Sequence, residues 1–245
     1  NDDGNLVEPE FYVPIIPMIL VNGSEGIGTG WSSNIPSFNP IEIIKNIKVM
    51  INNMKKSNSL QDNLTELQPW YRGYTGTIEK IDSKRYISRG KYNVLNETTV
   101  EITELPVKVW TDKYKEFLET LIIDNSKDKK GKKKEYIRNY TSQCTDTKIY
   151  FKILMKDEDC DDLTYYKEKN SEGQNMFEKT FKLTSKINLS NMVMYDENGN
   201  LKKYNTVNDI LENYFKVRLE YYIKRKEYQL NSCLLYTSPS PRDKR

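Results

Sequence analysis

Val21–Asn22–Gly23–Ser24–Glu25–Gly26–Ile27–Gly28–Thr29–Gly30–Trp31–Ser32 is the stretch from which this chain is read. Four glycines fall in the eight residues from Gly23 to Gly30. Backbone so rich in glycine forms tight turns and lets another molecule approach closely. A phosphate cradle of the P-loop kind would end in Gly-Lys-Ser/Thr, where this chain has Gly28–Thr29–Gly30–Trp31. A dinucleotide fingerprint needs a preceding strand and a following helix in register, and Gly26-x-Gly28-x-Gly30 has neither that spacing nor an adjacent helix. Two readings remain, a tight turn with no partner and a loop that presses on a nucleic-acid groove. Spacing alone favours the bare turn. Ile27 favours the groove, because an isoleucine between two glycines has nothing beside it to cover it. Proteins that bend DNA insert such apolar wedges between base steps, at a cost of roughly a few kcal/mol.

Outward from this loop, residues 8–17 are apolar and punctuated by Pro9, Pro14 and Pro17, which rules out a regular helix there. Downstream, Asn39 caps a helix with Pro40 in its first turn and Glu42 three residues after the cap. Ile43, Ile44, Ile47, Met50, Ile51 and Met54 form its apolar stripe. β-Branched runs predict strands over 75–81, 85–88 and 98–103. Thr111 caps a second helix carrying Tyr114, Phe117, Leu118, Leu121 and Ile122 on one face. Strands are expected again over 147–155, 177–183 and 192–195, with a hairpin turn at 197–200. A long helix begins at Thr206, and Val207, Ile210, Tyr214, Val217, Tyr221, Lys224 and Tyr228 mark a heptad seam. The fold class is α+β, a tower-like antiparallel sheet with flanking helices leading into the start of a long coiled-coil helix. From Cys233 the helical pattern breaks, and residues 233–245 match the translation of a sequencing adapter, outside the fold.

Composition restricts function. The 245 residues carry a net charge of +3, so any basic surface has to come from segregation of charge. There is no histidine, and Cys144, Cys160 and Cys233 suit neither a zinc site nor a disulfide framework, so no metal site is expected. A reduced, intracellular setting follows. No apolar run approaches the roughly 20 residues of a membrane span, so no membrane partner is expected. The basic run 127–134 reads as a solvated loop. The acidic run 157–162 lacks the glycine and terminal glutamate of a calcium loop.

Several blocks together resemble eukaryotic-type DNA topoisomerase II: 8–12, 14–18 and 21–32 around the loop, 69–79, 101–107, Trp110–Thr111, 181–183, 191–193, 202–204 and 218–226. The resemblance covers about residues 6–231. It implies an ATP-dependent isomerase that passes one DNA duplex through a double-strand break in another, relaxing, decatenating and unknotting DNA. It implies Mg2+ and ATP as cofactors of the complete enzyme, double-stranded DNA as partner, a homodimer and a nuclear location. By the same resemblance, residues 1–36 hold the end of a winged-helix region and the wedge loop, 37–205 a tower domain, and 206–232 the start of a coiled-coil arm. Ile27 matches the wedge isoleucine, and Asn22, Gly23, Ser24, Gly26 and Gly28 surround it. The segment from Lys182 to Asn191 matches a strand that tracks the DNA backbone, through Lys182, Thr184, Ser185, Lys186, Asn188, Ser190 and Asn191. The attacking tyrosine, the acidic metal cluster and the ATPase domain belong upstream, so no catalytic residue is expected here. An architectural DNA-binding module and a nucleotide-binding enzyme are the alternative readings.

Overall fold

The computed structural model describes residues 4, 8, 12–96, 98–122, 137–155 and 174–237. The basic run 127–134, the acidic run 157–162 and the tail 238–245 lie outside the described residues. In chain order the elements are α1 (Met18–Asn22), β1 (Ser24–Gly28), β2 (Trp31–Ile35), α2 (Pro40–Lys55), β3 (Thr77–Asp82), β4 (Arg85–Arg89), β5 (Lys91–Asn96) and β6 (Thr99–Glu104). They continue with α3 (Thr111–Ile122), β7 (Ile137–Ser142), β8 (Phe151–Met155), α4 (Met176–Thr180), β9 (Thr184–Asn188), β10 (Met192–Tyr195), β11 (Leu201–Tyr204) and α5 (Val207–Thr237). They fall into two compact units, Asn1–Gln68 with Asn191–Arg245, and Pro69–Ser190.

In the first unit, α2 forms where the sequence places it. The Asn39 side chain accepts the Ile41 amide at 2.9 Å, and Pro40 opens the first turn, where its missing N–H costs nothing. Its buried face is not the expected apolar stripe. Ile43, Asn46, Met50 and Asn53 are buried, while Ile44, Ile51 and Met54 are exposed. The two asparagines hold the following loop: Asn46 exchanges two hydrogen bonds with the backbone of Thr65, and Asn53 donates to the Asp62 carbonyl at 2.7 Å. Each amide matches the donors and acceptors of irregular backbone, which apolar side chains cannot do.

The long helix α5 is capped reciprocally by Thr206 and Asp209, whose side chains each accept the other's amide. Its first turns bury Val207, Ile210, Leu211 and Phe215, and the helix runs past Cys233 to Thr237. Farther along, Tyr214 donates to the Pro14 carbonyl at 2.5 Å and Arg218 to the Val13 carbonyl at 2.8 Å. The extended, proline-punctuated entry thus finds on α5 the donors that it cannot find in a ladder.

The second unit holds a three-stranded sheet ordered β3-β4-β9 and a four-stranded sheet ordered β5-β6-β8-β7, all antiparallel. Val100 and Ile102 from β6, Phe151 and Ile153 from β8, and Tyr114 and Leu118 from α3 share one core with Phe177 and Phe181. β4 is its sheet's central strand and buries four consecutive residues, Tyr86 to Arg89. Arg89 is compensated by Glu178, which it pairs with closely, and by Glu79 at 3.1 Å.

One element differs in kind from the sequence expectation. Where a strand is expected over 177–183, the chain instead forms α4, which ends at Thr180 with Phe181 as its cap. Asn175 and Glu178 form a complete capping box, and Phe177 and Phe181, four residues apart, bring their rings to 4.5 Å. Two phenylalanines raise strand propensity, but their spacing suits one helical face. β5 and β7, which the sequence pattern does not announce, add two outer strands to the four-stranded sheet.

Candidate nucleic-acid interface

The glycine-rich stretch is a hairpin. β1 and β2 pair antiparallel, with Ile27 opposite Ser32 and Gly28 opposite Trp31, and Thr29–Gly30 forms a two-residue turn. Amides engaged in this ladder cannot converge on a phosphate in the manner of a P-loop. Every residue of β1 is exposed, and Ile27 is 93% exposed, the most exposed of the large apolar side chains among the described residues.

The glycines around Ile27 serve different ends. Gly28 lies under the Trp31 indole, where a β-carbon would come within 2.9 Å of two ring atoms. Gly26 faces open space. Gly23 turns the chain from α1 into β1 at φ +71°, and a β-carbon there would lie 2.6 Å from the Ile35 carbonyl. The result is a narrow ribbon with one exposed isoleucine that has a glycine on either side of it along the strand. Asn22 accepts the Ser37 hydroxyl through its carbonyl at 2.8 Å, and Ser24 is exposed.

A two-stranded ribbon is marginal alone, and β2 anchors this one. Ser33 and Ile35 are buried, and the Trp31 ring meets Tyr195 of β10 edge-on at 5.7 Å. Asn191 donates to the Ser32 hydroxyl at 2.9 Å, and its carbonyl accepts the Asn34 amide at 2.8 Å. Asn191 therefore sits against the ribbon and braces it.

In the other unit, β9 alternates as expected from Lys186 onward. Ile187 and Leu189 are buried, and Lys186, Asn188 and Ser190 are exposed. Lys182 precedes the strand in the left-handed region at φ +50°, its ammonium 4.1 Å from the centre of the Phe117 ring. Thr184 accepts the Gln174 amide at 2.7 Å, and Ser185 accepts the Ser88 hydroxyl at 3.3 Å through its carbonyl. Among the described tyrosines whose ionisation is perturbed, every shift is upward. Burial pushes the phenols of Tyr74 and Tyr214 up to about 12 and raises those of Tyr92, Tyr114 and Tyr204, which makes the phenolate harder to form. No cluster of three or more His, Cys, Asp or Glu side chains among the described residues could hold a metal ion.

The family profile for the DNA gyrase/topoisomerase IV A subunits matches residues 1–236. The chain belongs to that gyrase/topoisomerase family. It is 44% identical over 228 residues to DNA topoisomerase 2 of Saccharomyces cerevisiae, covering 93% of this chain and 14% of that protein. It is 40% identical over 230 residues to DNA topoisomerase 2-alpha of Rattus norvegicus, covering 94% of this chain and 14% of that one. Among solved structures, the DNA-binding, cleavage and re-ligation domain of Plasmodium falciparum topoisomerase II superposes with a TM-score of 0.79 at 37% identity, over 92% of this chain and 28% of that chain. The fold of this gyrase/topoisomerase family member thus matches part of a topoisomerase II DNA-binding and cleavage domain. The chain spans about one seventh of the length of the curated relatives it matches.

Proposed function

We propose that this chain is the DNA-bending and gate-DNA-binding segment of an ATP-dependent DNA topoisomerase II, an isomerase acting by double-strand passage. The observation that carries the proposal is Ile27, 93% exposed on a hairpin strand between two glycines. Water is a poor environment for such a side chain, and a base step opened by bending is a better one. The ribbon supplies the wedge, and β9 and the residues just after it supply exposed Lys186, Asn188 and Ser190 to face the sugar–phosphate backbone. Phosphate contacts offset the cost of unstacking.

We assign Mg2+, ATP, the attacking tyrosine and homodimer formation to the complete enzyme, which acts in the nucleus. The relatives named DNA topoisomerase 2 support the assignment to a DNA isomerase. The test is Ile27→Ala in the complete enzyme, with bending of a doubly labelled duplex followed by fluorescence energy transfer. Bending and cleavage should both fall. Bending equal to that of the unaltered enzyme would remove Ile27 from the wedge role.

A further inference from the structure

The long helix α5 reaches the ribbon by two connections, both within the first unit. One is its own start. β11 ends at Tyr204, Thr206 caps the helix, and the hairpin of β10 and β11 holds β2 through Asn191 and Tyr195. The other is made by side chains farther along. Tyr214 and Arg218, a helical turn apart, donate to the adjacent carbonyls of Pro14 and Val13 at 2.5 and 2.8 Å.

Val13 and Pro14 lead into the foot of the ribbon. The Leu20 amide bonds to the Pro17 carbonyl at 3.0 Å, and the carbonyl of buried Leu20 accepts the Phe38 amide at 2.8 Å. The Asn22 carbonyl accepts the Ser37 hydroxyl at 2.8 Å. α1 is thereby fastened to the residues just beyond β2, before the chain turns at Gly23 into β1. Residues 13–17 lie outside any strand or helix, and Pro14 and Pro17 have no N–H to offer.

Arg218 makes its hold at a cost. Its guanidinium lies 4.1 Å from the centre of the Tyr222 ring, and its Nε is buried with no hydrogen-bond partner among the described residues. A buried donor without an acceptor destabilises, and an unbranched apolar side chain would carry no such penalty. Stability alone therefore does not account for an arginine at this position.

We infer that Tyr214 and Arg218 are positioning residues for Ile27: by gripping the Pro14 and Val13 carbonyls they set where α1 and the ribbon stand on α5, and so aim the isoleucine at the base step. A misplacement of about 1 Å is enough to cost a reaction much of its rate, so a hold remote from Ile27 is felt there. The inference rests on the DNA reading above, and the experiment separates the two.

The complete enzyme carrying Tyr214→Phe/Arg218→Met is compared with the unaltered enzyme, with Ile27→Ala and with the triple variant, on a doubly labelled duplex at saturation. Energy transfer and cleavage should both fall in the double variant, cleavage about tenfold. Its melting temperature should stay within about 4 °C of the unaltered enzyme. Its slope of log affinity against log salt should not change, because no phosphate contact is lost. In the Ile27→Ala background the same two changes should add nothing, because they act through that side chain. Arg218→Lys, which keeps a donor and a cation over Tyr222, should bend DNA as the unaltered enzyme does. Unchanged bending in the double variant overturns the positioning role, and so does a further fall in the triple variant. A shallower salt slope overturns it by making Arg218 a phosphate contact. A large drop in melting temperature that Arg218→Lys does not restore overturns it by making the pair structural. Full bending by Ile27→Ala itself overturns the wedge reading instead.

Discussion

The Trp31 indole rests on the backbone of Gly28, with two ring atoms 2.9 Å from where a β-carbon would stand. Gly26, two residues earlier on the same strand, has nothing within 4 Å of that position. The hairpin therefore needs one of these glycines for packing and not the other. Gly28→Ala should displace the indole from Tyr195 and cost about 1–2 kcal/mol, seen as a lower melting temperature and a changed near-ultraviolet tryptophan signal. Gly26→Ala should stay within about 0.5 kcal/mol of the unaltered chain. Equal effects at both positions would contradict this division.

The same ribbon predicts a second contrast. Ile27 is 93% exposed and Ile35 is 2% exposed. Ile27→Ala should leave stability within about 0.5 kcal/mol, since it removes no buried contact. Ile35→Ala should cost about 2–5 kcal/mol through lost burial and the cavity left behind. Chemical denaturation of the two variants checks this, and a destabilised Ile27→Ala would mean that the isoleucine packs on its own chain.

What is legible in the sequence follows from which interactions are local. The cap at Asn39, the Pro40 start, the helix from Thr206 and the alternation from Lys186 to Ser190 are short-range patterns, and they appear where expected. The buried face of α2 is not legible. Its composition marks Ile44, Ile51 and Met54 as core, but burial at Asn46 and Asn53 depends on a loop up to nineteen residues away. The helix at Met176–Thr180 hides behind its aromatic content, which points to a strand while the spacing of the rings points to a helix. In the candidate site, Ile27 stands out because glycines isolate it.

Asn53 provides a direct test of that lesson. Asn53→Leu adds apolar volume at a buried helical position, and composition alone would predict a gain. It leaves the Asp62 carbonyl, now bonded at 2.7 Å, without its donor. A loss of about 1–3 kcal/mol is expected, with faster proteolysis in the loop after α2. A stabilised variant would show that the loop finds another donor.

Arg89 and Glu178 join the centre of β4 to the capping box of α4, and both are nearly buried. Glu178 also accepts the Asn175 amide at 3.1 Å, so one carboxylate serves the cap and the guanidinium together. Glu178→Ala should cost about 1–3 kcal/mol, since it takes one of two carboxylates from a buried cation and a partner from the cap. Replacing both partners by apolar residues should recover part of that loss. A double variant no more stable than Glu178→Ala would place the cost in the cap.

Tyr74 donates a close hydrogen bond to the Arg89 carbonyl, and burial, followed by the charge of Glu104, pushes its phenol up from 10.0 to about 12. The raised value fixes the sign of the pH dependence. The folded state holds the proton more tightly than the unfolded one, so the contribution is complete below about pH 10 and is lost as pH climbs toward about 12. Tyr74→Phe removes both the hydrogen bond and the ionisation. At neutral pH the variant should be less stable by about 0.5–1.5 kcal/mol. Above about pH 10 the unfolded wild type gains a phenolate that the variant cannot form, so the gap between them should narrow steadily. Tyr114 and Tyr214, also raised by burial, are present in both proteins and cancel in the difference. Urea unfolding of the pair at intervals across this range measures the gap directly, and a gap independent of pH would mean that Tyr74 ionises alike in the folded and unfolded chains.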